Sequence, residues 1–166
     1  MKIRNILVPT DLSNACDKAI DYAVQLAGVF EARIHLLHVI EMPVVADPLP
    51  GSVMWPYPSA AILDEARHFL EDMRSRMSVK SKIVVERGVP SEVILDYAEQ
   101  HAIDLIVMAT HGRQGFARML VGSTTETVLR QASCPVVSIR PNKMHQPSET
   151  DTEEETASSS PGSAHE

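Results

Sequence analysis

Five short apolar runs alternate with segments of helical periodicity along the first 140 residues of this 166-residue chain. Four of the runs are almost continuous in Val, Ile, Leu and Met, which is typical of parallel strands covered on both faces. Such alternation favours an α/β fold, a parallel sheet with right-handed crossovers and helices on both faces. The predicted strands are Ile3–Val8, Arg33–Ile40, Lys82–Glu86, Asp104–Met108 and Pro135–Ile139.

Four segments between these strands carry apolar residues at helical spacing. The stripe of the first is Ala15, Ala19, Tyr22, Ala23, Leu26 and Ala27, and that of the second is Ile62, Ala66, Phe69, Leu70, Met73 and Met77. A shorter third helix, with Ile94, Tyr97 and Ala98 at helical spacing, is predicted to open near Pro90. Ser123 and Glu126 match a capping box, which predicts a fourth helix from Ser123.

The charge divides the chain into two parts. Residues 1–140 carry 16 acidic side chains against 14 Lys and Arg, whereas residues 141–166 carry 6 acidic side chains against Lys143 alone. We therefore expect one nearly neutral domain over residues 1–140, followed by an acidic, Ser-rich tail over 141–166 that buries too little surface to fold. Because the domain has no concentrated basic surface, binding to nucleic acid is disfavoured.

Targeting and redox signals point to the cytoplasm. The N-terminal residues turn polar too early for a signal peptide, and no apolar run approaches the ~20 residues that span a bilayer, so no membrane contact is expected. Cys16 and Cys134 are not at metal-ligand spacing. We expect two reduced thiols that pack as small hydrophobic side chains.

Residues 42–58 hold five of the 11 prolines and are predicted to form a long loop after the second strand. Trp55 and Tyr57 lie in it. Local packing of these rings onto the domain is the favoured interpretation, and a lid or partner contact is the alternative.

Polar residues and glycines follow the first and fourth predicted strands, where ligands bind in open parallel sheets. Thr10, Asp11 and Ser13 follow the first strand, and a glycine-containing segment from Ala109 to Gly115 follows the fourth. Two interpretations of these residues stay open: helix capping and ordinary turns, or an anion site at a helix N-terminus. The motifs of P-loops, dinucleotide folds, zinc proteases and nucleophile elbows are absent from the sequence.

The chain resembles the universal stress protein family in four blocks: I-L-V-P-T-D-L-S, L-L-H-V-I, I-V-M-A-T-H-G-R-Q-G-F followed by V-G-S-T-T-E-T-V, and C-P-V-V-S-I-R. The resemblance covers residues 1–140 and implies a five-stranded parallel sheet in the order 3-2-1-4-5. It also implies a homodimer in which the last strands pair across a two-fold axis, through Val136, Val137, Ser138, Ile139 and Arg140. The apolar face of that edge strand is an independent reason for the same expectation.

The nucleotide-binding branch of this family carries the motif G-x2-G-x9-G-[S/T]. Gly112, Gly122 and Ser123 match its later positions, whereas Ala109 replaces the first glycine. The substitution adds one methyl group where backbone would meet ligand. It costs about 1 kcal/mol if that position requires a positive φ.

The resemblance implies a role for each matching residue. Gly112, Gly122, Ser123 and Thr124 would hold the phosphates, Pro9, Thr10 and Asp11 would line the ribose and phosphate side, and Val39 and Met108 would pack against adenine. Ala109, His111 and Arg113 complete the predicted site. Arg113 would either neutralise phosphate charge or remain a solvated surface residue. Because Asp11 would repel a triphosphate, Mg²⁺ is expected to accompany ATP.

The sequence thus predicts a universal stress protein that binds ATP and acts as a regulatory or stress-resistance module. It predicts at most slow hydrolysis, because no lysine accompanies the motif, and therefore no efficient enzyme. The alternative is a nucleotide-free dimeric interaction module of the same family. An adenylyl-transferring enzyme is disfavoured, because P-T-D-L-S stands where such folds carry H-x-G-H or S-G-G-x-D-S.

Overall fold

The computed structural model describes residues 2–42, 59–110 and 122–140. Within them strands and helices alternate as predicted. The strands are β1 (Asn5–Thr10), β2 (Arg33–Glu41), β3 (Ser81–Gly88), β4 (Leu105–Ala109) and β5 (Val136–Ile139). A 3₁₀ helix (Asn14–Cys16) leads into α1 (Asp17–Phe30), and α2 (Ala60–Ser75), α3 (Pro90–Gln100) and α4 (Ser123–Gln131) follow. The predicted tail and residues 43–58 of the predicted loop lie outside the described residues.

The five strands form one parallel sheet in the order β3-β2-β1-β4-β5, which confirms the expected topology. Thr10 at the end of β1 pairs with His38 on β2, and Ala109 at the end of β4 pairs with Ile139 on β5. The chain order reverses between β1 and β4, so a crevice opens at the carboxyl ends of these two strands.

Strand residues face two separate cores by alternation. Ile6, Val8 and Leu36 pack into the core that α1 and α2 cover, together with Ala19, Ala23 and Leu70. Leu7 and Leu37 pack into the opposite core with Ile94 and Tyr97 of α3 and Val128 of α4. The helices therefore cover both faces of the sheet, as the nearly continuous apolar runs predict.

Three residues of the predicted helix stripes are exposed. Tyr22 is 42% exposed, Ile62 is 48% exposed and Phe69 is 50% exposed. Ala19, Ala66 and Leu70 of the same stripes are buried. The helical spacing therefore predicts the helices but does not separate their buried residues from their exposed ones.

The predicted capping box of α4 is wrong. Gly122 is the N-cap residue, Ser123 is already the first helical residue, and no side-chain capping hydrogen bond forms. The Glu126 carboxylate instead accepts a hydrogen bond from Arg130, one turn further along, at 2.9 Å. The helix starts where predicted, but its first turn offers backbone amides rather than a side-chain cap.

Both cysteines are free and pack as hydrophobic side chains, as predicted. Cys16 belongs to the core under α1, and Cys134 packs against the core under α3 and α4. Burial raises the pKa of both thiols. Among the described residues, no helix is long and apolar enough to cross a membrane.

Candidate functional site

A cleft of about 880 Å³ lies at the carboxyl ends of β1, β2 and β4, between α2 on one side and α3 and the start of α4 on the other. Nine of the twelve predicted site residues line it: Pro9, Thr10, Asp11, Val39, Met108, Ala109, Gly122, Ser123 and Thr124. The remaining three, His111, Gly112 and Arg113, lie outside the described residues. Residues far apart in sequence thus meet because the carboxyl ends of parallel strands share one edge of the sheet.

The Asp11 carboxylate organises the turn after β1. Its Oδ1 atom accepts hydrogen bonds from the backbone N–H of Ser13 at 3.0 Å, from the Ser13 hydroxyl and from the Cys16 thiol at 3.1 Å. Burial raises the pKa of the Cys16 thiol to about 11, so the thiol stays protonated and donates. Asp11 therefore ties the 3₁₀ helix to β1 and also lines the cleft. The helix-capping interpretation is wrong, because Ser13 is the N-cap residue of the 3₁₀ helix and no side-chain capping hydrogen bond forms there.

Thr10 is held from two sides. Its hydroxyl accepts a hydrogen bond from the backbone N–H of Leu12 at 3.1 Å, and its carbonyl lies 2.9 Å from Nδ1 of His38. Because a carbonyl only accepts, Nδ1 of His38 is the donor. Leu12 itself has φ 64, a left-handed conformation that costs a leucine ~1–2 kcal/mol. These contacts hold the turn at the cleft in a single strained shape.

The N-terminus of α4 faces the cleft with its backbone amides. The N–H of Gly122 donates to the Thr110 carbonyl at 2.7 Å, and the buried Thr125 hydroxyl donates to the Ala109 carbonyl at 3.0 Å. These two contacts fix the helix against the end of β4. The first N–H groups of the helix, at Ser123 and Thr124, have no acceptor within the helix and lie at its positive end, an arrangement that suits an anion.

The two motif positions at this edge are free of backbone strain. Gly122 has φ -72, and a Cβ added to it would lie 3.4 Å from the Thr110 carbonyl oxygen, which is an ordinary contact. Ala109 is not among the described non-glycine residues with positive φ, which are Leu12, Glu31 and Ala102. Alanine is therefore accommodated as the last residue of β4, and the fold itself does not require a glycine at position 122.

Acidic groups dominate the charge of the cleft. Asp11, Glu41 and Glu65 line it, and the described lining residues include no Lys or Arg. In the parts of the chain that the structure describes, no group of three or more His, Cys, Asp or Glu could hold a metal ion. A Mg²⁺ ion would therefore need oxygen ligands from a bound ligand in addition to Asp11.

Several lining residues were not predicted from the sequence. His38 is a polar residue near the end of an apolar strand, and this signal could have identified it. For Glu41, Glu65 and Thr125 the sequence carries no signal that separates a cleft residue from any other polar residue. Ile62 and Phe69 carried the periodicity of a core stripe, so no sequence signal separated them from buried residues.

Comparison with known proteins gives one consistent family. The sequence model of the universal stress protein family matches residues 2–140. A universal stress protein of Methanocaldococcus jannaschii is 33% identical over 144 residues, which are 84% of this chain and 84% of the relative. The solved structure of universal stress protein UspA from Lactobacillus plantarum is 32% identical, with a TM-score of 0.66 over 84% of this chain and 99% of that chain.

A more distant solved structure shares the fold. The universal stress protein of Archaeoglobus fulgidus in complex with dAMP is 18% identical, with a TM-score of 0.60 over 84% of this chain and 99% of that chain. Because the family match covers the whole described domain and two relatives exceed 30% identity over most of their length, the chain belongs to the universal stress protein family.

Proposed function

We propose that this universal stress protein binds ATP and acts in the cytoplasm as a regulatory or stress-resistance module. The observation that carries the proposal is Gly122, which the fold does not need as a glycine and which lies at the start of α4 in the cleft. A missing side chain at that point lets a ligand approach the backbone. The two free thiols support a reducing compartment.

The cleft offers each part of a nucleotide a distinct surface. The amides at Ser123 and Thr124 suit the phosphates, together with Gly112 and Arg113 from the segment outside the described residues. Pro9, Thr10 and Asp11 would line the ribose, and the side chains of Val39 and Met108 would pack against adenine; all five residues line the cleft. The complex of the Archaeoglobus fulgidus protein with dAMP supports an adenine nucleotide as the ligand class.

Mg²⁺ would reach this site with the nucleotide. The Asp11 carboxylate would supply one oxygen ligand and the phosphates the others, which would offset repulsion between carboxylate and triphosphate. We expect at most slow hydrolysis, because the described lining offers no Lys or Arg to stabilise charge on a transferred phosphoryl group. The module would then respond to nucleotide occupancy rather than to turnover.

Two variants test nucleotide binding. In the first experiment, purified protein is denatured and the small molecules that it releases are separated by chromatography. In the second, folded protein freed of any bound nucleotide is titrated with ATP and Mg²⁺ by calorimetry. Gly122→Val should abolish binding while the fold persists, because valine tolerates the extended backbone of this residue. Gly28→Val is the matched control, because a Cβ at Gly28 meets nothing within 4 Å and lies away from the cleft. No released nucleotide and no binding at millimolar ATP would refute the proposal.

A dimer through β5 is the second part of the proposal. β5 is an edge strand, with Val136, Val137 and Ile139 half-buried and Ser138 exposed, and among the described residues no strand pairs with its outer side. The Pro135 and Ile139 carbonyls accept hydrogen bonds from β4 and its continuation, so the backbone of Ser138 points outward. Edge pairing with a second copy, continued to Arg140, would satisfy those groups.

Ser138→Pro tests this interface without disturbing the pairing of β5 with β4, since proline is tolerated on the open side of an edge strand. Light scattering should show a dimer for the wild type and a monomer for the variant. A wild-type monomer at all concentrations would exclude the interface. The nucleotide-free interaction module remains the alternative function, and a melting temperature raised by ATP would decide against it.

A further inference from the structure

The cleft extends over both faces of the sheet edge. Along β2, Leu36 faces the core under α2 and Leu37 faces the core under α3, so the strand alternation places His38 and Ile40 on the α2 side and Val39 on the α3 side. His38, Val39 and Ile40 all line the same cleft. The nucleotide surface described above uses mainly the α3 and α4 side, which leaves the α2 side without an assigned ligand.

The α2 side of the cleft is an apolar recess. Ile62, Ala66 and Phe69 lie on one face of α2 at positions i, i+4 and i+7, and all three line the cleft. Ala66 is buried against the domain, whereas the flanking Ile62 and Phe69 are about half exposed. We call the part of the cleft that these three residues and Ile40 line the recess.

Charge excludes a phosphate from this recess. Glu65 lies beside it on α2, and the described lining of the whole cleft has no Lys or Arg. The charged side chains that line the described cleft are therefore acidic, whereas free amides lie at the start of α4. An anion fits the α4 side and an uncharged apolar group fits the α2 side.

We propose that the recess formed by Ile40, Ile62, Ala66 and Phe69 is a second subsite, which binds the uncharged aromatic group of a ligand whose anionic group lies at the N-terminus of α4. The anionic half of this ligand rests on the nucleotide site proposed above. The chemical class is an amphipathic anion, such as a nucleotide that carries an apolar substituent on its base. Unsubstituted ATP would leave the recess empty.

Two probes test the subsite. The first is N6-benzyl-ATP, which should bind about tenfold more tightly than ATP because part of its phenyl ring leaves water. The second is 1-anilinonaphthalene-8-sulfonate, an aromatic anion whose fluorescence rises in apolar surroundings and which does not depend on nucleotide recognition. Phe69→Ala should remove the benzyl advantage and most of the dye signal. Phe30→Ala is the matched control, because Phe30 is a comparably exposed phenylalanine on α1 that does not line the cleft.

The outcomes separate this inference from the proposed function. A dye signal that depends on Phe69 but not on Phe30 supports the subsite even if ATP fails to bind, a result that would refute the nucleotide site alone. If ATP binds but neither probe distinguishes Phe69→Ala from Phe30→Ala, the subsite is overturned and the nucleotide site stands. If neither ATP nor the dye binds in the cleft, both proposals fail.

Discussion

Two histidines on β2 have opposite surroundings although they lie three residues apart. His35 is 4% exposed and faces the core under α3, where the Tyr97 hydroxyl lies 3.2 Å from its Nδ1 atom. His38 is half-buried on the other face, bonds the Thr10 carbonyl and lines the cleft. The comparison shows that the face and the position along a parallel strand decide the role of a polar residue, because the carboxyl edge of the sheet opens into the cleft.

The core around His35 is an aromatic cluster. The ring of Tyr97 meets His35 edge to face at 5.9 Å between centroids and stacks on His101 at 3.9 Å, and the Lys82 ammonium lies 5.6 Å from its centroid. Such contacts stabilise a core beyond the area they bury. We therefore regard this region as structural, in contrast to the cleft, where side chains remain available to a ligand.

The largest expected effect comes from removing the centre of this cluster. Tyr97→Ala should lower the free energy of unfolding by about 3–5 kcal/mol, the usual cost of deleting a buried aromatic ring. Tyr22→Ala is the matched control, and should cost far less because Tyr22 is 42% exposed. Urea denaturation of both variants measures the difference. If both variants lost the same free energy of unfolding, the aromatic cluster would contribute no more to stability than an exposed tyrosine does.

The second effect is a pH dependence of stability. Burial, with the nearby charges of Lys82, His101 and Arg33, lowers the pKa of His35 to about 4 from an ordinary value of 6.5. Between these values the unfolded chain binds a proton that the folded protein does not. The free energy of unfolding should therefore fall as the pH is lowered from about 6.5 to about 4, by about 3 kcal/mol in total.

A non-titrating variant isolates this contribution. His35→Gln keeps a hydrogen-bonding group near the Tyr97 hydroxyl but carries no titratable proton. Its unfolding free energy, measured by chemical denaturation between pH 7 and pH 4, should fall less steeply than that of the wild type. Parallel curves would show that His35 has the same pKa in the folded and the unfolded protein, which would contradict the effect of burial on this side chain.

The sequence predicts features that depend on local patterns, but not those that depend on contacts between distant segments. The strands and most of the cleft were accessible, because apolar runs and the residues after them fix which side chains reach the carboxyl edge. Ile62 and Phe69 were not, since a core stripe and a cleft wall have the same helical spacing. The roles of His35 and His38 depend on the face each one occupies and on partners such as Tyr97, which come from distant segments.

The third prediction concerns the contact that holds α4 beside the cleft. Thr125→Val removes the hydroxyl that donates to the Ala109 carbonyl and leaves that acceptor buried, so the unfolding free energy should fall by about 1–3 kcal/mol. Thr127→Val on the same helix removes a hydroxyl that bonds the Ser123 carbonyl at a more exposed site and should cost less than 1 kcal/mol. If both cost the same, α4 is not anchored to the end of β4 by Thr125.

The smallest effect on stability is expected at His38, and it completes the comparison. His38→Leu removes the hydrogen bond to the Thr10 carbonyl, but water in the cleft can replace it, so the unfolding free energy should fall by only about 1 kcal/mol. The same change releases the strained turn at Leu12, because one of the contacts that hold Thr10 is gone. ATP affinity should therefore fall several-fold in His38→Leu while it stays unchanged in His35→Gln. The reverse pattern, a large loss of stability with unaltered affinity, would place His38 in the same structural role as His35.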